Sequence, residues 1–189
     1  MELHQLVALD CNALVLLCGQ ACDDRTRVEY LLDSLNKSKG RVLLPTPVIA
    51  EFLVGADAAS LTFQTALIKR SGVVLGPFDL KAAHEAALID GAALFRRDKK
   101  DSSTKPWQKI KIDRQIVAIA KAAGAGLIVS NDADIHVTAA RVGIRAARVE
   151  ELEFPDSARQ GEITYDAASP ERNEHANQRA SVDTMQQQR

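Results

Sequence analysis

Four acidic residues, far apart in the chain, share one kind of local setting. Asp10 closes "LVALD", Glu51 lies in "TPVIAEF", Asp113 lies in "KIDRQIVAIA" and Asp132 follows "GLIVS" in "SNDADI". Carboxylates gathered at one place repel, and two of them about 4 Å apart cost on the order of 4 kcal/mol at an effective dielectric near 20. A fold that collects several must raise their pKa values or bind a cation. Oxygen ligands without cysteine, and without a helical histidine pair, favour a hard ion such as Mg2+ or Mn2+. His4, His84, His136 and His175 are scattered and give little support to histidine acid–base chemistry. Each acid also has an ordinary structural use. Asp10 can cap a helix, Asp113 can favour a helix N-terminus, Glu51 can be a surface residue and Asp132 can form a turn.

The elements that must position these residues can be read from the apolar pattern. "LVALD" (6–10), "RVLLP" (41–45), "GVVLG" (72–76), "GLIVS" (126–130) and "GIRAA" (143–147) are short and lack polar alternation. Strands buried on both faces of a parallel sheet have this character. Between them lie helix-favouring stretches at 23–38, 46–70, 79–100 and 112–124, rich in Ala, Leu, Glu and Lys. Thr46-Pro47 reads as an N-cap with proline at the first helical position. Gly124 reads as a left-handed helix end. The alternation predicts an α/β three-layer sandwich with a central parallel sheet. In such sheets, sites form beyond the carboxyl ends of the strands. Asp10, Asn12 and Asp132 are therefore expected at one edge, with Glu51 on a helix leaving it. On the helix ending at Gly124, Ile112, Ile116, Ile119, Ala120 and Ala123 are expected to face the sheet, with Asp113 pointing over its edge.

Composition narrows the class without naming it. The 189 residues are 46% hydrophobic and 26% charged with a formal net charge of −1, so any attraction to a polyanion must come from a local patch. The apolar start is interrupted by Asp10 and Asn12 and lacks a basic leader region, which favours a cytoplasmic protein with no membrane span. Cys11, Cys18 and Cys22 are an odd set near the N-terminus, read as reduced thiols; Cys18 and Cys22 are spaced to share a helix face. Residues 1–153 read as one domain. The polar stretch 154–189 has few large apolar residues and reads as a flexible tail.

In order and context, "LDCNALV", "TPVIAEF", "KIDRQIVAIA" and "LIVSNDADI" resemble the motifs of PIN-domain ribonucleases, especially the VapC-like toxins of type II toxin–antitoxin pairs. The resemblance spans roughly residues 3–150. It implies a PIN-like sheet of order 3-2-1-4-5 and an acidic pocket holding Mg2+ or Mn2+. It further implies metal-dependent endonucleolytic cleavage of RNA. By that resemblance Asp10, Glu51, Asp113 and Asp132 are the catalytic metal ligands, and Asn12, Ser130, Asn131 and Asp134 are supporting groups. In the toxin branch it implies an antitoxin bound across the pocket or a nearby groove, and a homodimer. Ile135 stands where the family commonly has an aromatic residue, and the chain is longer than the compact toxins.

One stretch, "FRRDKKDSSTKPWQKIKIDR" (95–114), is strongly basic and leads into Asp113. Lys105, Trp107, Lys109, Lys111 and Arg114 are expected to form an RNA-binding arm, with Trp107 stacking on an unpaired base. The plainer alternative is a solvated helix end with Trp107 packed on the body. Three other readings compete: a phosphate-relay receiver domain using Asp79, a catalytically silent PIN-like RNA- or protein-binding module, and a solitary RNA-processing nuclease.

Overall fold

Parallel strands need crossover connections, and each one here contains helix. In the computed structural model, which describes residues 5–159, five strands form one sheet: β1 (Leu6–Leu9), β2 (Arg41–Pro45), β3 (Val73–Gly76), β4 (Leu127–Val129) and β5 (Arg145–Ala147). All pairings are parallel and the order is β3-β2-β1-β4-β5. Burial follows this order. β1 and β4 are wholly buried and β2 nearly so, whereas the edge strands β3 and β5 are partly exposed. The absence of polar alternation in the inner strands is thus explained by cover on both faces.

The helices are α1 (Cys11–Cys18), α2 (Asp23–Lys37), α3 (Thr46–Val54), α4 (Ala58–Ile68), α5 (Leu80–Phe95), α6 (Trp107–Ala123), α7 (Ala133–Arg141) and α8 (Asp156–Arg159). α6 packs on β2 and β3 with α5 and α7 beside it, while α2 and α4 pack on β2 and β3 with α1 against both helices. Helices therefore flank the sheet, as a sandwich requires. At the β3 edge α6 comes close: a Cβ on Gly76 would lie 2.6 Å from a methyl of Ile119.

Several expected boundaries shift for physical reasons. The stretch 46–70 is two helices, because the chain leaves α3 at Gly55 and the Asp57 side chain accepts from Ser60 N to start α4. The first of these is capped at Pro45 with no side-chain bond, so Thr46 is already helical. Cys18 ends α1 while the Cys22 sulfur caps α2, so the two thiols do not share a helix. Gly124 does end α6 in the left-handed conformation, at φ 77°. α6 itself begins at Trp107, five residues before the expected start. Its buried side includes Ile110, Asp113, Ile116, Val117 and Ala120, while Ile112 and Ala123 are exposed. The buried stripe is rotated from the expected one, and Asp113 lies inside it.

The expected tail begins at residue 154. Phe154 lies beneath the Arg27 guanidinium at 5.0 Å, and α8 follows it; residues 160–189 lie outside the described residues. Among the described residues no helix is long and apolar enough to cross a membrane.

Candidate metal centre

Because Leu9 sits beside Val129 in the sheet, the residues that follow these two strands are also neighbours. The backbone N–H of Asp10 donates to the Val129 carbonyl at 3.0 Å. Its side chain, 6% exposed, caps α1 through Cys11 N at 2.7 Å. The other Asp10 oxygen accepts from Ser130 Oγ at 2.7 Å and from Asn12 Nδ2 at 3.4 Å. Ser130 Oγ in turn accepts the N–H of Asp132 at 3.0 Å, so one buried hydroxyl couples two of the expected ligands. Burial raises the Asp10 pKa, and the bonds from Ser130 and Cys11 N offset part of that rise.

The segment after β4 is a helix start as well as a turn. Asp132 caps α7 by accepting from Asp134 N at 3.0 Å, which brings Asp134 into the first turn beside it. Asp113 meets both from α6. One carboxylate oxygen from each of Asp113, Asp132 and Asp134 lies within 4.8 Å of the others. Asp113 is 1% exposed, and neither of its oxygens receives a properly oriented hydrogen bond. Two ammonium groups approach it as ion pairs only, Lys109 at 3.3 Å and Lys105 at 4.0 Å. Desolvation therefore dominates and pushes the Asp113 pKa up to about 6. Asp132 goes the other way. Its burial penalty is outweighed by the Lys105 ammonium at 2.5 Å and by the Asp134 N–H, which hold it below the usual carboxylate range.

Glu51 sits at the rim, nearly half exposed, with Lys109 at 3.5 Å. It lines an open cleft of about 500 Å³ with Asp10, Asn12, Asn131, Asp132, Lys109 and Asp24. The four expected ligands thus converge on one edge of the sheet, but in unequal positions. Asp134, expected as a supporting group, belongs to the close trio; Asp10 joins through Ser130 and Glu51 stands outside it. Asn131 turns its carbonyl oxygen to Val149 N at 3.0 Å and fastens the strand end to the 3-10 turn Val149–Glu151. Asp24, in the first turn of α2, was missed; its only sequence signal is an acidic helix start, which the dipole already explains.

The basic stretch divides. Lys105 and Lys109 turn toward the acids; Lys109 is four residues before Asp113 on α6, a spacing that puts both on one face. Lys111 is exposed. Arg114 is 2% exposed and bonds Asp90 at 2.6 Å, Asp101 at 2.8 Å and the Lys99 carbonyl at 2.8 Å, so its guanidinium is committed inward and corrects its expected place in an RNA arm. Trp107 is half-buried with Lys99 over its ring at 4.2 Å, close to the plainer alternative. Asp79, which a receiver domain would phosphorylate, caps α5 by accepting from Ala82 N at 2.9 Å.

The donor set fits a hard divalent ion. It consists of carboxylate oxygens, one from each of Asp113, Asp132 and Asp134 gathered within 4.8 Å of one another, with two lysine ammoniums now balancing their charge. Sheet order and acidic edge agree with sequence: residues 7–141 match the family model described as the PIN domain, and the chain belongs to that family. Among solved structures it is similar to VapBC2 from Rickettsia felis bound to a DNA fragment from its promoter. That match has a TM-score of 0.54 and 16% identity over 76% of this chain and 98% of the other. It is also similar to DNA-bound VapBC from Salmonella typhimurium, with a TM-score of 0.52 and 18% identity over 76% of this chain and 97% of that one. At these identities the likeness is one of fold. No curated protein sequence matches the chain.

Proposed function

We propose that the chain is a Mg2+- or Mn2+-dependent endoribonuclease, of the toxin kind that an antitoxin holds in check. The observation that carries the metal is Asp113: a carboxylate shut away from water, met only by two lysine ammoniums, and facing two other carboxylates. A bound divalent ion would supply an acidified water and charge neutralisation on a phosphodiester. Asp113, Asp132 and Asp134 would hold it, with Asp10 and Glu51 completing or flanking the set. Ser130 keeps Asp10 and the Asp132 backbone in fixed relation, and Asn131 pins the strand end from the other side. Lys109, between Asp113 and Glu51, is placed to meet a phosphate entering the cleft. The net reaction joins a water oxygen to phosphorus and breaks the bond to the 3′ oxygen, leaving a 5′-phosphate and a 3′-hydroxyl. No histidine is needed: Nε2 of His136 is 2.6 Å from the Ser130 carbonyl and serves the strand end.

The antitoxin, the homodimer and a cytoplasmic setting rest on the toxin resemblance and on the fold shared with the two VapBC structures. The test is cleavage of RNA with mapped ends, in Mg2+ and in Mn2+, by the wild type and by Asp10→Asn, Asp113→Asn and Asp132→Asn. Cleavage should fall to background in each variant; undiminished cleavage in any of them removes that residue from the mechanism. A short upstream reading frame for a DNA-binding protein that co-purifies with the chain would support the toxin branch. Its absence would favour a solitary nuclease.

A further inference from the structure

The loop between α5 and α6 spends its tip on the same oxygens that would bind the ion. Ser103 Oγ donates to Asp134 Oδ2 at 2.8 Å. The Lys105 ammonium lies 2.5 Å from Asp132 Oδ1, 3.1 Å from Asp134 Oδ2 and 4.0 Å from Asp113 Oδ2. An ammonium ringed by three carboxylates answers the same charge that a divalent ion would answer. The two cannot share it, because Mg2+ needs oxygens at about 2.0–2.1 Å with their lone pairs free. The root of the loop is fixed independently. Asp101 is gripped by Arg96 and Arg114, each at 2.8 Å, and by Arg141. Just before the tip, Ser102 holds φ 64°, a conformation uncommon for a side-chain-bearing residue. A firm root and an ionic tip are the parts of a strap.

We propose that residues 103–105 form a strap that competes with the divalent ion for Asp132 and Asp134. Ion binding releases Lys105 from the trio toward the polyanionic substrate, so an ion-free chain is closed and an ion-loaded chain presents one more cation to the cleft. This rests on the metal reading above. It adds that the chain carries its own competitor for the ion, and that ion and loop movement are coupled.

Trp107 is the sole tryptophan and opens α6 two residues after Lys105, so its emission reports on the loop. The full chain is titrated with Mn2+ by calorimetry and with Mg2+ by Trp107 fluorescence, as wild type, Lys105→Met and Ser103→Ala. Lys105→Met should bind Mn2+ about tenfold more tightly, within the usual range for two events that share groups. Ser103→Ala removes a tether without removing charge and should also tighten binding, by less than Lys105→Met does. Mg2+ should shift wild-type emission saturably, and Lys105→Met should show the shifted emission before any Mg2+ is added. Tighter binding in Lys105→Met with Ser103→Ala unchanged would mean that the lysine acts by its charge alone, without the loop, and overturn the strap. So would equal affinities in all three proteins, or emission that Mg2+ does not move. If Mn2+ binds none of them, the metal reading fails and the strap fails with it.

Discussion

Ionising a carboxylate that water cannot reach is costly, and at Asp113 the cost has a direction in pH. Its pKa rises from 3.8 unfolded to about 6 folded. Between those values the folded chain holds more protons than the unfolded one, so this residue's contribution to stability falls as pH rises through that window. The loss is complete above about pH 6. Asp113→Asn in EDTA at pH 7.5 should therefore be more stable than wild type, by on the order of 1–3 kcal/mol in urea unfolding. Its stability should also vary less between pH 4 and 6 than that of the wild type. Saturating Mn2+ should erase most or all of that advantage, since an ion at about 100 times its dissociation constant stabilises the wild type by about 2.7 kcal/mol and the variant by little. Ser130 makes a second residue-scale case. Ser130→Ala removes the hydroxyl between Asp10 and the Asp132 backbone, and should weaken metal affinity and cleavage about 10- to 100-fold with the fold intact by circular dichroism. A change under twofold would reduce Ser130 to packing.

Among the elements, α6 is the one that organises the site, and it does so by facing two ways. Asp113 faces Asp132 and Asp134 while Arg114 holds Asp90 on α5 and Asp101 in the loop. Arg114→Met would strip a buried carboxylate of one partner and should destabilise the domain by about 3 kcal/mol in urea unfolding. Lys at this position should not restore the loss, because a point charge cannot serve three acceptors in a fork. A cost under 1 kcal/mol would mean that Arg96 and Arg141 suffice. This helix also shows how far the sequence could be read. The strands were legible because burial on both faces leaves unbroken apolar runs, and Asp10 and Asp132 were legible because they stand at the ends of such runs. The start of α6 was not. "KPWQKIK" looks like a charged loop, and only packing against α5, α7 and the sheet makes it helical. Without those five residues the Lys109–Asp113 spacing is hidden and Arg114 is turned outward. The place of Asp134 in the trio depends on the cap at Asp132, a backbone geometry that residue types alone did not reveal.

At the scale of the whole molecule, a net charge of −1 gives no general pull on RNA, so the RNA binding proposed above requires local cations such as those around the cleft. Lys111→Glu should weaken RNA binding at low salt. It should also flatten the dependence of log K on log salt by about 0.7 for each single-strand phosphate left without its cation. An unchanged slope would leave Lys111 a surface residue. The sheet order has a consequence for the making of the protein. β1 is the first strand to be synthesised, yet it lies between β2 and β4, and the Ser130 that holds Asp10 comes 120 residues after it. At about 5–20 residues per second of translation, the N-terminal acid waits several seconds for its partners. A prematurely terminated product ending before β4 has one open edge on β1 and lacks Asp132 and Asp134. Such fragments should be unable to assemble the centre, so a ribosome that stalls midway through this message releases a chain without the acidic trio.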